Sequence, residues 1–133
     1  MNEEASKFLI DTHVLLWWLF DDPRLSHRAY GIIQSPENTI LVSSASGWEI
    51  ATKYRLGKLP HAREAARNLP ALLKDSHMDI LPITLEHALA AGALPGPHRD
   101  PFDRMLIAQG QLEDLPIVTS DMAFKQYPVT LVW

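Results

Sequence analysis

The chain contains no cysteine. Disulfides and thiolate metal sites are therefore excluded, and any bound metal would have to be held by carboxylates, histidines or water. Long hydrophobic runs are also missing. The longest, VLLWWLF at 14–20, has seven residues, far short of the roughly 20 that cross a bilayer. The opening MNEEASK is acidic and polar, unlike the basic and apolar regions of a secretory signal. A cytoplasmic protein is expected, with residues 1–6 a flexible N-terminal extension. Positive charge is scarce overall, with a formal net charge of −4, which argues against tight nonspecific binding through phosphate neutralisation. Its distribution is uneven, however. Five of the twelve Lys and Arg, namely Lys53, Arg55, Lys58, Arg63 and Arg67, fall in residues 53–67 beside a single acid, Glu64. That stretch reads either as the solvated face of two helices or as a phosphate-steering patch.

At 133 residues one domain is expected, spanning the whole chain. Short apolar, β-branched runs alternate with helical patterns. KFLID (7–11), NTILVSS (38–44), MDILPI (78–83), PIVTS (116–120) and VTLVW (129–133) read as strands. THVLLWWLF, a segment capped near Ser26, a segment from about Ser44 to near Gly57, HAREAARNLPALLKDSH interrupted or kinked by Pro70, TLEHALAAGAL, FDRMLIAQGQLEDL and the short DMAFKQY read as helices. LPGPHRDP (94–101) is a loop. Such alternation predicts a three-layer α/β/α domain around a mostly parallel sheet of about five strands.

In an open parallel sheet, ligands bind beyond the carboxyl ends of the strands, where strand order reverses. Asp11 ends the first strand, Glu49 lies on the helix leaving the second, Asp103 is in the first turn after the proline loop, and Asp121 follows IVTS. The topology would carry all four to one edge. Each also has an ordinary role: Asp11 and Asp121, like Asp100, suit helix N-caps, Asp103 would sit in the first turn near the positive end of the helix dipole, and Glu49 stands four residues before Lys53, the spacing of an exposed helix ion pair. Four gathered carboxylates would repel unless a cation neutralised them, and all-oxygen ligation suits Mg²⁺ or Mn²⁺. The histidines have no metal-ligand spacing, and His98, beside the acids, reads as a loop hydrogen-bonder. Ser43, Ser44 and Ser120 lack a paired His and acid, so no hydrolase triad is supported.

The motifs LIDTHVLLWWL, VSSASGWEIATKYRLGKL, LPITLEHA, LPGPHRDPFDRMLIAQ and IVTSDMAFKQY, in this order from about Lys7 to Trp133, resemble the PIN domain, specifically the toxin ribonucleases of VapBC-type toxin–antitoxin modules. The resemblance implies a Mg²⁺- or Mn²⁺-dependent endoribonuclease that cleaves without using the 2′-hydroxyl. It maps the acidic quartet onto Asp11, Glu49, Asp103 and Asp121 as metal-binding and catalytic residues, with Asp100, Thr119 and Ser120 accessory. It also implies a homodimer and a small cognate antitoxin. Lys53, Arg55 and Lys58 are candidates for RNA contact, and Trp17 or Trp18 for an antitoxin anchor on an unusually apolar helix. Gly47 departs from the bulkier residue expected before WEI. Two rivals stand beside this reading: a PIN-fold binding module without activity, and a Mg²⁺-dependent phosphatase, although DTH puts His13 where such enzymes carry a second acid.

Overall fold

The computed structural model describes residues 6–97 and 100–133; the role expected of His98 therefore lies outside the described residues. Five strands, β1 (Lys7–Ile10), β2 (Thr39–Ser43), β3 (Asp79–Leu81), β4 (Ile117–Val118) and β5 (Leu131–Val132), form one sheet in the order β3-β2-β1-β4-β5. Every pairing is parallel, with Leu9 opposite Leu41 and Ile117, and Ile10 opposite Val42 and Val118. The sheet is thus wholly parallel, and its strands are shorter than the apolar runs that signalled them.

Six helices flank it: α1 (Thr12–Leu19), α2 (His27–Gln34), α3 (Ser44–Arg55), α4 (Arg63–Asp75), α5 (Leu85–Ala93) and α6 (Pro101–Leu112). Met122–Gln126 forms a 3-10 turn rather than an α-helix. Alternation along β1 divides the core. Ile10 packs with Val14, Leu15, Ile33, Ile50 and Leu73 from α1–α4, whereas Leu9 faces Leu106, Ile107 and Phe124 from α6 and the 3-10 turn. This period-2 division explains why both faces of a short strand must be apolar.

Local chemistry sets the helix ends. Ser26 caps α2 by accepting from Ala29 N, and Thr84 caps α5 in a reciprocal box with His87. Leu56 closes α3 and Gly57 follows at φ +78°, a left-handed conformation that glycine adopts without steric cost. α4 is two helical segments that meet at a kink, where Asn68 leaves the helical range (φ −126°, ψ 29°) two residues before Pro70, because proline disturbs the preceding turn. Among the described residues no helix is long and apolar enough to cross a membrane.

Candidate active site

From β1 the chain runs outward to β2 and β3, then returns to place β4 on the other side of β1. The order therefore reverses between β1 and β4, and the residues just past their carboxyl ends are Asp11 and Thr119. Asp11 is only 6% exposed. One carboxylate oxygen, Oδ1, accepts from Val14 N at 2.8 Å, capping α1. The other, Oδ2, accepts from the Thr119 hydroxyl, which in turn accepts from Asp121 N at 3.0 Å. Burial pushes the Asp11 carboxyl above its usual range. The Thr119 and Val14 donors and nearby His13 oppose that shift, and the charge of Asp121 adds to it. Asp121 itself is exposed and caps the 3-10 turn through Ala123 N at 2.9 Å.

A second set of acids lies where α3 meets α6. The buried face of α3 is Ala45, Ser46, Glu49 and Ile50, a helical stripe that carries a carboxylate among small and apolar side chains. Glu49 is 2% exposed; its Oε2 accepts from Lys53 Nζ, and its Oε1 is buried with no hydrogen-bond partner. The pair expected at this spacing exists, but it is buried on the Glu49 side rather than exposed. Lys53 gives up hydration by partial burial, which would lower its pKa. The hydrogen bond and charge of Glu49, with the charges of Asp100 and Asp103, outweigh that and leave its ammonium more basic than usual. Asp100 caps α6 by accepting from Phe102 N at 2.9 Å and Asp103 N at 3.2 Å, with Pro101 at the first helical position. Asp103 thus sits in the first turn, at the positive end of the helix dipole.

The two sets are joined. Thr12, next to Asp11, donates to Ser46 Oγ at 2.8 Å in a buried contact spanning 34 positions, and Ser46 is one turn before Glu49. Among the described residues no three histidine or acidic side chains are set to hold one metal ion. The acids stand as Asp11 with Asp121, and Glu49 with Asp100 and Asp103 around the Lys53 ammonium. In donor type and charge the site suits a hard divalent cation: every candidate ligand is a carboxylate oxygen, and Glu49 Oε1 is a desolvated acceptor with nothing bound to it.

Of the basic candidates, Lys53 belongs to the acidic site, whereas Arg55 and Lys58 are exposed. Ser120 is exposed as well. Thr12, Ser46 and Trp48 are site neighbours that spacing alone does not single out. Trp17 lines a cleft of about 470 Å³ with His13, Leu16, Phe20, Arg24 and Lys58; the Arg24 guanidinium lies 5.2 Å from its ring centre. Trp18 lines another, of about 530 Å³, but its indole N–H donates to Ser76 Oγ at 3.1 Å and its ring packs 5.3 Å from Tyr30.

A parallel α/β/α domain with buried carboxylates at its switch point is a recognisable class of protein. The family profile described as "PIN domain" matches residues 8–129, and the chain belongs to that family. It is 40% identical over 73 residues to "Ribonuclease VapC16" of Mycobacterium tuberculosis (strain ATCC 25618 / H37Rv), covering 52% of this chain and 50% of that protein; the match thus spans about half the length of that relative. Two solved structures share the fold. VapBC2 from Rickettsia felis, bound to a DNA fragment from its promoter, has a TM-score of 0.69 at 18% identity, covering 95% of this chain and 97% of that one. DNA-bound VapBC from Salmonella typhimurium has a TM-score of 0.65 at 19% identity, covering 96% and 98%.

Proposed function

We propose that this chain is a one-domain, cytoplasmic endoribonuclease, the toxin of a toxin–antitoxin module, and that it hydrolyses RNA phosphodiesters with Mg²⁺ or Mn²⁺. The observation that carries the reading is Glu49: a nearly inaccessible carboxylate with one oxygen unpartnered, on the α3 face tied to the Asp11 end of β1. Lys53 compensates the charge through the other oxygen, but a buried acceptor left without a partner is costly, and a structural acid would have both oxygens satisfied. The partial match to a protein named a ribonuclease supports the substrate class.

Asp11, Glu49, Asp103 and Asp121 are the proposed ligands; since they stand in two sets, with no three among the described residues set to hold one ion, binding would have to draw the two sets together. When bound, a divalent cation there supplies Lewis acidity toward a phosphoryl oxygen and lowers the cost of ionising water. The chain's own residues do the rest. Thr119 fixes the orientation of Asp11 by donating to Oδ2, and Val14 N holds Oδ1. Thr12 and Ser46 lock α3 against the start of α1, so that Glu49 keeps its depth. The Lys53 ammonium balances Glu49 and the α6 acids. Arg55 and Lys58, both exposed, would meet the RNA backbone. Asp100 serves α6 as its cap, and Ser120 lies beside the Thr119–Asp121 turn.

The chain would act as a homodimer held inactive by a small antitoxin. Trp17 is the better anchor of the two tryptophans, since its cleft reaches His13, two residues from Asp11, whereas Trp18 already has an internal partner. The deciding experiment is cleavage of single-stranded RNA by purified protein with Mg²⁺ or Mn²⁺. Asp11→Asn, Glu49→Gln, Asp103→Asn and Asp121→Asn should each reduce turnover at least a hundredfold (about 2.7 kcal/mol) while the protein stays folded. Wild-type turnover by all four variants would sink the reading, and release of phosphate from small monoesters without RNA cleavage would favour a phosphatase.

A further inference from the structure

Trp48 is 60% exposed, yet it is the residue directly before Glu49. Its indole packs edge-on against Phe102, with ring centres 4.8 Å apart. Phe102 is nearly buried and lies between Asp100 and Asp103 on α6, and Lys53 Nζ lies 5.9 Å from its ring centre. One aromatic pair thus roofs the junction of the two acid-bearing helices, and its outer member faces solvent. On the other side of Trp48 a cleft of about 220 Å³ opens between α3 and α4, with Ser44, Gly47, Leu69, Pro70 and Ile80 among its walls. Gly47 keeps it open: a Cβ there would lie 3.6 Å from Leu69 Cδ2, and anything longer would enter the cleft.

We infer that Trp48 and this cleft form a nucleobase subsite, in which a base of the RNA next to the scissile phosphate stacks on the indole; this rests on the ribonuclease reading above. Three observations favour a base over a protein segment. The cleft is smaller than the roughly 300–1,000 Å³ of drug-sized ligand pockets and suits one flat ring system. Trp48 stands between the cleft, which it lines, and the acids, being next to Glu49 in the chain and packed on Phe102 beside Asp103, so a phosphate held at those acids would bring a neighbouring base toward the indole. The Lys53 ammonium beside the aromatic pair offsets acidic charge where a polyanion must pass. Single-stranded RNA is bound by such pairing of aromatic platforms with cations, and stacking accepts any base because every base has a π-face. The apolar walls would then select by size, with the exposed Ser44 hydroxyl the nearest polar group at the rim.

Two measurements test the subsite. In the first, wild type, Trp48→Ala, Trp48→Phe and Gly47→Leu cleave one single-stranded RNA library, with KM measured and 5′ ends sequenced. Loss of one stacked base should raise KM roughly tenfold or more in Trp48→Ala, Phe should restore part of it, and Gly47→Leu should alter the distribution of cut sites by filling the cleft. In the second, the Asp121→Asn variant is titrated with RNA hexamers carrying 2-aminopurine at one position at a time; one position should be quenched, and adding Trp48→Ala should abolish the quench. Cleavage by all four proteins at the same sites with the same KM overturns the subsite and leaves the ribonuclease reading standing. Failure of wild type to cleave RNA overturns that reading, and the 2-aminopurine titration then still reads the subsite. If Trp48→Ala turns a dimer into a monomer in sedimentation while the quench persists, the indole belongs to a protein interface and the subsite is wrong.

Discussion

Replacing Lys53 by Met removes the side-chain partner that Glu49, a carboxylate only 2% exposed, has among the described residues. Breaking a buried ion pair from one side costs about 3–5 kcal/mol, because the remaining charge is left uncompensated. The Lys53 side chain is 24% accessible, so water partly screens the pair and the lower end, about 3 kcal/mol, is the better figure. For a domain of this length that corresponds to a fall in melting temperature of about 10 °C in chelator-treated buffer. A divalent cation that binds only the native state contributes about 2.7 kcal/mol at a hundredfold excess over its dissociation constant, enough to restore most of the loss. Wild type should gain less from the same ion, since there the cation must compete with an ammonium already placed among Glu49, Asp100 and Asp103. Lys53→Arg should behave nearly as wild type, and the double change Glu49→Gln with Lys53→Met should recover much of the stability without metal, because the buried charge has gone. Differential scanning fluorimetry with chelator and with Mn²⁺ measures all four proteins. If Lys53→Met melts with wild type in chelator, or if Mn²⁺ raises both by the same amount, Lys53 is not the internal counter-ion and the site does not exchange it for a metal.

The fold was legible because its signals are local. β1 and β2 are short apolar runs broken by turn residues, and five of the helices carry side-chain caps, at Asp11, Ser26, Ser43, Thr84 and Asp100. Register and strand length were not legible. Only Ile117 and Val118 of PIVTS are strand, since pairing depends on how far β1 and β5 extend beside them. At the acids the capping expectation holds, since Asp11, Asp100 and Asp121 each cap a helix or 3-10 turn; the four expected together stand instead in two sets, with no three among the described residues set to hold one ion, although the topology directs each toward the carboxyl edge of the sheet. A helix start after a parallel strand points its amides at that edge, so an acid placed there for either purpose satisfies both geometries.

What escaped the sequence is tertiary. The i, i+4 spacing of Glu49 and Lys53 indicates a pair but not its depth, which is set by α6 lying across α3 through Phe102. The Thr12–Ser46 bond joins residues 34 positions apart, and neither residue is distinctive alone. Trp48 is a large apolar side chain that is nonetheless 60% exposed. Its exposure follows from α3 burying Ala45, Ser46, Glu49 and Ile50, a stripe that leaves position 48 to the side, so the polar acid takes the interior place and the tryptophan the outer one. An inversion of that kind, a charge inside and a large aromatic outside on adjacent residues, is the mark of a surface shaped for something other than stability.

Two of the helix glycines, Gly47 and Gly110, should respond oppositely to alanine. At Gly47 the added methyl meets only Leu69 Cδ2 at 3.6 Å, so better helix propensity should raise stability by up to about 1 kcal/mol; at Gly110 it would fall 2.9 Å from Ile117 Cδ1 and 3.3 Å from the Leu115 carbonyl, and overpacking should cost about 1–2 kcal/mol net of propensity. Urea midpoints of both variants check this, and the same sign at both sites would contradict it. Trp17→Ala should weaken binding of a co-expressed antitoxin by about 2 kcal/mol or more, as anchor residues do, with Trp18→Ala losing folding stability instead through Ser76 and Tyr30; the reverse pattern in pull-down and melting would move the docking site to the α2 side. The last prediction concerns pH. Burial raises the Asp11 pKa in the native state above its ordinary value of 3.8, so the folded protein holds this proton more tightly than the unfolded chain does. By linkage its contribution is favourable at low pH and is lost as pH rises from 3.8 through the raised native value. Asp11→Asn cannot ionise, so the variant should match wild type below that window and become progressively more stable than wild type across it, in buffer free of divalent ions. Above the window the gap should stay constant, and added Mn²⁺ should close it by stabilising only the protein that retains the carboxylate. Stability curves that run parallel across the whole pH range would mean that Asp11 carries no desolvation penalty, and with it would go the physical reason for a cation at the β1–β4 switch point.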